Sequence, residues 1–141
     1  KKTPWHREDE RLYPEAEEIL RYLRERGYVI GVIANQGFGT EKRLEAWGIW
    51  KYFDSITASA EEGIAKPDPE MFLRALKRSG GLAENSVMIG DRLDNDIAPA
   101  KSLGMKTVWI KQGFSVYCSP TCPQEQPAHT ISNLMELKNL L

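Results

Sequence analysis

The 141-residue chain carries a formal net charge of -1, and 41% of its residues are hydrophobic, enough apolar side chains for one core of ordinary domain size. The balanced charge excludes the basic footprint by which proteins bind nucleic acid or an acidic membrane surface. No apolar run reaches the roughly 20 residues that span a bilayer, and Lys1 to Glu10 is charged rather than leader-like, so a soluble, cytoplasmic protein without a membrane partner is expected.

Residues 1–12 have no periodicity and read as an irregular lead-in to a single domain over residues 1–141. From Pro14 the pattern is helical. Proline suits a first turn, Glu15, Glu17 and Glu18 complement the helix dipole, and Ala16, Ile19, Leu20 and Leu23 form one apolar stripe that ends at Gly27. Tyr28 to Ala34 is β-branched and almost wholly apolar, the signature of a strand buried on both faces of a parallel sheet. It runs into the polar, glycine-containing stretch Asn35-Gln36-Gly37-Phe38-Gly39. Thr40 is placed to cap a helix reaching Trp47, closed by Gly48.

Tyr52 to Ser59 is a weaker strand. The two prolines of Lys66-Pro67-Asp68-Pro69 forbid a helix before about Asp68 and put Lys66 on a constrained extended segment. A helix over Asp68 to Lys77 follows, with Met71, Phe72, Ala75 and Leu76 inward. Then come a strand over Ser86 to Ile89, a helix from about Asn95 to Leu103, and a strand over Lys106 to Ile110, the spacing of a right-handed parallel crossover. Residues 113–128 read as a long loop, and Asn133 to Leu141 as an amphipathic helix. The predicted fold is α/β, a Rossmann-like three-layer α/β/α arrangement with a mostly parallel sheet.

Cys118 and Cys122 are the only cysteines. They lack the further Cys or His ligands of a zinc site and read as two reduced thiols on a surface loop, a local disulfide or shared metal being the alternative. Trp47 and Trp109 fall in helix and strand patterns and read as core, Trp5 and Trp50 as partly exposed. His6 and His129 have no partner in view.

The chemistry concentrates in Val87-Met88-Ile89-Gly90-Asp91-Arg92-Leu93-Asp94-Asn95-Asp96. Three aspartates fall within six positions at the end of a strand, where open α/β sheets bind ligands. Clustered carboxylates repel one another unless a positive charge sits among them, and a hard, oxygen-loving cation such as Mg2+ suits the donors. Singly, each residue has a plainer reading: Asp91 as a turn residue, Asp94 or Asn95 as a helix cap, Lys66 as a solvated lysine.

As an ordered set, these residues resemble the motifs of the haloacid dehalogenase-like hydrolase superfamily, made up mostly of Mg2+-dependent phosphatases. Gly90-Asp91 with Asp96 matches its fourth motif, Lys66 of Lys66-Pro67-Asp68-Pro69 its third, and Ala34-Asn35 its second. The resemblance implies that Asp91 and Asp96 belong to a Mg2+ site, Asp91 meeting the ion and Asp96 holding its waters or the lysine. It implies that Lys66 is a catalytic and phosphate-binding residue, and that Asn35 binds a phosphate oxygen. The substrate implied is a small phosphorylated metabolite.

Two departures stand out. The hydroxyl residue of the second motif is replaced by Ala34, which removes one hydrogen bond to phosphate unless Asn35 or Gln36 supplies it. The Asp-x-Asp that carries the family's nucleophile is absent, since Asp94-Asn95-Asp96 follows a strand already assigned to the fourth motif. The strand bearing that nucleophile is central in the family, between the strands at Tyr28–Ala34 and Ser86–Ile89. Without it two interior strands would each leave backbone groups unpaired. Three resolutions are open: the strand comes from a missing N-terminal segment, a second chain supplies it, or the protein is a non-catalytic relative that binds metal, phosphate or a protein partner.

Overall fold

The computed structural model describes residues 15–141; the lead-in, with Trp5 and His6, lies outside them. Helix α1 (Ala16–Glu25) leads to β1 (Gly31–Ala34), α2 (Thr40–Ala46) and β2 (Ser55–Ala58). Then follow α3 (Ser59–Glu62), α4 (Pro69–Ser79), β3 (Val87–Gly90), α5 (Ala98–Ser102), β4 (Lys106–Ile110) and β5 (His129–Ile131). All the described strand pairs are parallel: β1 with β2, and β3-β4-β5 with β4 in the middle.

The faces of β4 divide the core into two layers, as period-2 alternation requires. Val108 and Ile110 pack with Ile19 and Leu23 of α1 and with Leu137 near the C-terminus. Trp109, pointing the other way, packs with Leu93 and Ile97. Strand β3 repeats the division. Val87 and Ile89 join the α1 side, whereas Met88 meets Met71 and Phe72 of α4 and Ala100 of α5. Ile30 and Ile33 extend the same two cores toward β1. The result is the predicted α/β/α sandwich.

Among the described residues no ladder joins β1 to β3. A cleft of about 690 Å3 lies between them, lined by Ile30 to Ile33 on one side and Val87 to Asp91 on the other. It explains why β1 is shorter than its apolar run. Tyr28 and Val29 stay 39% and 59% exposed and join no ladder. The Ile30 N–H donates to the Asp54 side chain (2.8 Å), and the Ile30 carbonyl accepts from the Asp54 N–H (2.6 Å). Pairing with β2 begins only at Gly31 and Ser55.

Several local expectations need correction. Thr40 is not a cap: Gly39, at φ +94°, is the cap residue, and the buried Thr40 hydroxyl accepts from Arg43 instead. Lys66 sits in a turn, with a cis Lys66–Pro67 bond and the Asp68 N–H donating to the Ala65 carbonyl at 2.9 Å, rather than on an extended segment. The helix predicted from Asn95 begins as a π-helical turn over Leu93–Ile97. Residues 113–128 hold two 3-10 turns, Gly113–Tyr117 and Pro123–Glu125, and the final helix is a 3-10 helix over Leu134–Asn139, capped by Asn133 with Glu136 bonding back. Strand β5 occupies residues between the expected loop and the expected final helix, for which no element is predicted, and it pairs along the edge of β4. Cys118 and Cys122 are exposed thiols that form no disulfide. Among the described residues no helix is long and apolar enough to cross a membrane.

Candidate active site

Parallel strands bring their C-terminal ends to one edge of the sheet, and the predicted residues meet there. Asn35 follows β1 directly. Its side-chain amide pairs with the main chain of Lys66 in both directions, Nδ2 donating to the carbonyl (3.0 Å) and Oδ1 accepting from the N–H (2.8 Å). Two residues 31 positions apart are joined as if in a short ladder, which ties the Lys66 turn to the end of β1.

On the far side of Lys66, Asp68 caps α4 by accepting from the Glu70 N–H at 2.9 Å, with Pro69 at the first helical position. The residues preceding the turn are held by Glu62, which accepts from Arg74 (3.1 Å) and Arg78 (2.8 Å) of α4. These bonds, the Arg78 one foremost, hold the Glu62 carboxyl below the ordinary carboxylate range against the opposing effect of burial.

The turn points the Lys66 ammonium inward, where it donates to Asp96 Oδ1 at 2.6 Å. Both side chains are largely buried, 12% and 4% exposed. The second oxygen, Asp96 Oδ2, accepts from the Arg92 N–H at 3.1 Å. The π-helical turn folds Asp96 back onto Arg92, whose carbonyl accepts from the Asp96 N–H (2.9 Å) and the Ile97 N–H (3.1 Å). Gly90 makes room for it: a Cβ there would lie 2.5 Å from Asp96 Cβ and Oδ2.

The three aspartates now separate by environment. Asp94 does not cap an α-helix as expected. It takes two bonds from the Arg92 guanidinium (3.0 and 2.9 Å) and one from the Asn95 N–H (2.8 Å). The Arg92 contact holds the Asp94 carboxyl below its ordinary range and Arg92 above its own. Asp96 is matched to Lys66. Among the described residues only Asp91 of the three has no hydrogen-bond partner for its carboxylate, and it lines the cleft beside Lys66 and Asp96.

No group of three or more His, Cys, Asp or Glu side chains converges as a complete metal cage among the described residues. Mg2+ does not need one. It is commonly held by one or two carboxylates, waters and substrate phosphates, so one unpaired carboxylate beside a fixed lysine suits it.

Trp109 is the residue that pattern reading missed as part of this site. It is buried, as expected of core, but its indole N–H donates to the Asp91 carbonyl at 3.0 Å. The available signal was chemical: a buried indole N–H needs an acceptor.

The chain belongs to the haloacid dehalogenase-like hydrolases, whose family model matches residues 6–104. It is 38% identical over 133 residues to the glyceraldehyde 3-phosphate phosphatase of Methanocaldococcus jannaschii, covering 93% of this chain and 57% of that protein. The crystal structure of a HAD phosphatase from Thermococcus onnurineus superimposes with a TM-score of 0.81 at 30% identity, over 92% of this chain and 57% of the other. The magnesium-bound HAD-hydrolase YfnB from Bacillus subtilis gives a TM-score of 0.79 at 27% identity, over 92% of this chain and 55% of that one. The chain thus spans about half the length of the curated relatives it matches.

Proposed function

We propose that this chain forms most of the core of a Mg2+-dependent phosphatase acting on a small phosphorylated metabolite through an aspartyl-phosphate. The observation that carries the reading is the arrangement of charge at the mouth of the cleft. A largely buried lysine is held by one aspartate, and beside it a second, Asp91, has no partner for its carboxylate among the described residues. That pattern suits a phosphoryl group with a cation, and the name of the M. jannaschii relative supports the substrate class.

In this reading Asp91 would hold Mg2+ through its carboxylate, and Asp96, whose two oxygens are engaged by Lys66 and the Arg92 N–H, would support the site by fixing the lysine and the backbone beside Asp91. When bound, the ion neutralises charge on the phosphoryl oxygens. Lys66 adds a fixed positive charge to the same oxygens. Asn35 offers its backbone N–H, its side chain being committed to the Lys66 main chain, and this compensates in part for the hydroxyl that Ala34 lacks.

The nucleophile is an aspartate on a strand from outside this sequence, either another segment of the same polypeptide or a second chain. The cleft of about 690 Å3 lies between β1 and β3, and a strand seated there would pair with their facing edges. The nucleophile's carboxylate oxygen attacks phosphorus in line, the ester P–O bond breaks, and the alcohol leaves with a proton taken from the second aspartate of the Asp-x-Asp on that strand, which recovers a proton from the water of the next step. Water then cleaves the acyl phosphate, restoring the carboxylate and releasing inorganic phosphate.

The test is phosphate release from p-nitrophenyl phosphate by the full-length protein. Chelation should abolish turnover and Mg2+ restore it, and Asp91→Ala should lower it roughly 100-fold or more. Turnover indifferent to chelation, or unchanged in Asp91→Ala, would overturn the reading.

A further inference from the structure

The peptide unit that joins Asp91 to Arg92 is held at both ends. Its carbonyl accepts from the Trp109 indole N–H at 3.0 Å, and its N–H donates to Asp96 Oδ2 at 3.1 Å. A peptide unit is a rigid plane. Fixing both of its polar ends fixes the torsions on either side, and one of them sets the direction in which the Asp91 side chain leaves the backbone.

The Asp96 bond is made within one turn, four residues on, whereas the indole bond comes from a separate strand. Trp109 is 18 residues from Asp91 and reaches it because β4 pairs in register with β3, with Trp109 opposite Gly90. Gly90 is the last residue of β3, so the Asp91 carbonyl lies just beyond the ladder. The indole is 3% exposed, packed with Leu93 and Ile97 from the turn that carries Asp96, and the Lys111 ammonium lies 5.0 Å from its ring centre. Packing on one side and the cation contact leave the ring little freedom to turn its N–H elsewhere.

We propose that Trp109 is a positioning residue for Asp91: its indole N–H and the Asp96 carboxylate clamp the Asp91–Arg92 peptide unit and aim the Asp91 carboxylate into the cleft. The proposal rests on the reading of Asp91 as a Mg2+ ligand. Through Asp96 the same clamp is continuous with Lys66, so the group that aims the metal ligand and the group that holds the cationic side chain share one carboxylate.

The test deletes the N–H while keeping the ring. In the full-length protein Trp109 is replaced by β-(3-benzothienyl)alanine, which has sulfur in place of N–H, and separately as Trp109→Phe. Mg2+ binding is followed by calorimetry and melting temperature is measured in chelator. The isostere should lower the metal-free melting temperature by no more than about 4 °C and raise the Mg2+ Kd about tenfold, as loss of a group supporting a metal ligand does. Trp109→Phe should raise the Kd similarly with a larger fall in melting temperature. A Kd within twofold of wild type in both variants, whatever the melting temperatures, would reduce Trp109 to a packing residue and overturn the proposal while leaving Asp91 as ligand. A wild-type protein that binds no Mg2+ would overturn the metal reading and this proposal with it.

Discussion

Lys66 Nζ lies 2.6 Å from Asp96 Oδ1, and the two side chains are 12% and 4% exposed. Removing one member of such a pair strands the other charge in a poorly solvated place, which costs about 3–5 kcal/mol, whereas replacing both with apolar groups of similar size is close to neutral. Lys66→Met should therefore destabilise the protein strongly in urea unfolding, and Lys66→Met combined with Asp96→Leu should recover most of the loss. A single variant within about 0.5 kcal/mol of wild type would mean that the pair behaves as an exposed one.

Gly90→Ala tests why glycine precedes Asp91. The added methyl would sit 2.5 Å from Asp96 Cβ, with no flexible chain end to move aside. The cost expected of forced overpacking is about 1–3 kcal/mol, together with loss of Mg2+-dependent turnover as Asp96 is pushed off the Arg92 N–H. Ala at position 90 with wild-type stability and turnover would show that Asp96 can relocate freely.

Much of this was legible in sequence, for identifiable reasons. Strand β4 and helix α4 have strong local signals, a β-branched run in one and Asp-Pro punctuation with apolar spacing in the other. The edge where Asn35, Lys66, Asp91 and Asp96 meet followed from the order of strands. The rest depends on partners distant in sequence. Tyr28 to Ile30 has strand composition, yet a strand exists only where a neighbour pairs with it, and β2 begins at Ser55. His129 to Ile131 is too short to show a strand period of its own and pairs because β4 has an edge to offer. The Asn35 amide on the Lys66 backbone, the π-turn that lets Asp96 reach Arg92, and the Trp109 bond to the Asp91 carbonyl leave no periodic trace.

Glu62 gives a pH prediction. Its carboxyl is held low in the folded protein, first by the bond from Arg78 and then by that from Arg74. Since the folded value lies below the unfolded one, the stabilisation is complete above the unfolded glutamate value of about 4.3 and is lost as pH falls from there through the folded value. Glu62→Gln should lower stability at pH 7 and flatten the acid limb of a stability-versus-pH curve. An acid limb of unchanged slope in Glu62→Gln would remove Glu62 from the account.

A nucleophile that enters on a strand seated between β1 and β3, as proposed, would be phosphorylated during turnover. Quenching the full-length protein in acid during turnover of a 32P-labelled phosphomonoester, then mapping the label, addresses it most directly. A hydroxylamine-labile phosphoryl group on an aspartate outside residues 1–141 is expected. Label on Asp91, Asp94 or Asp96, or turnover with no phosphorylated protein at any time, would contradict it.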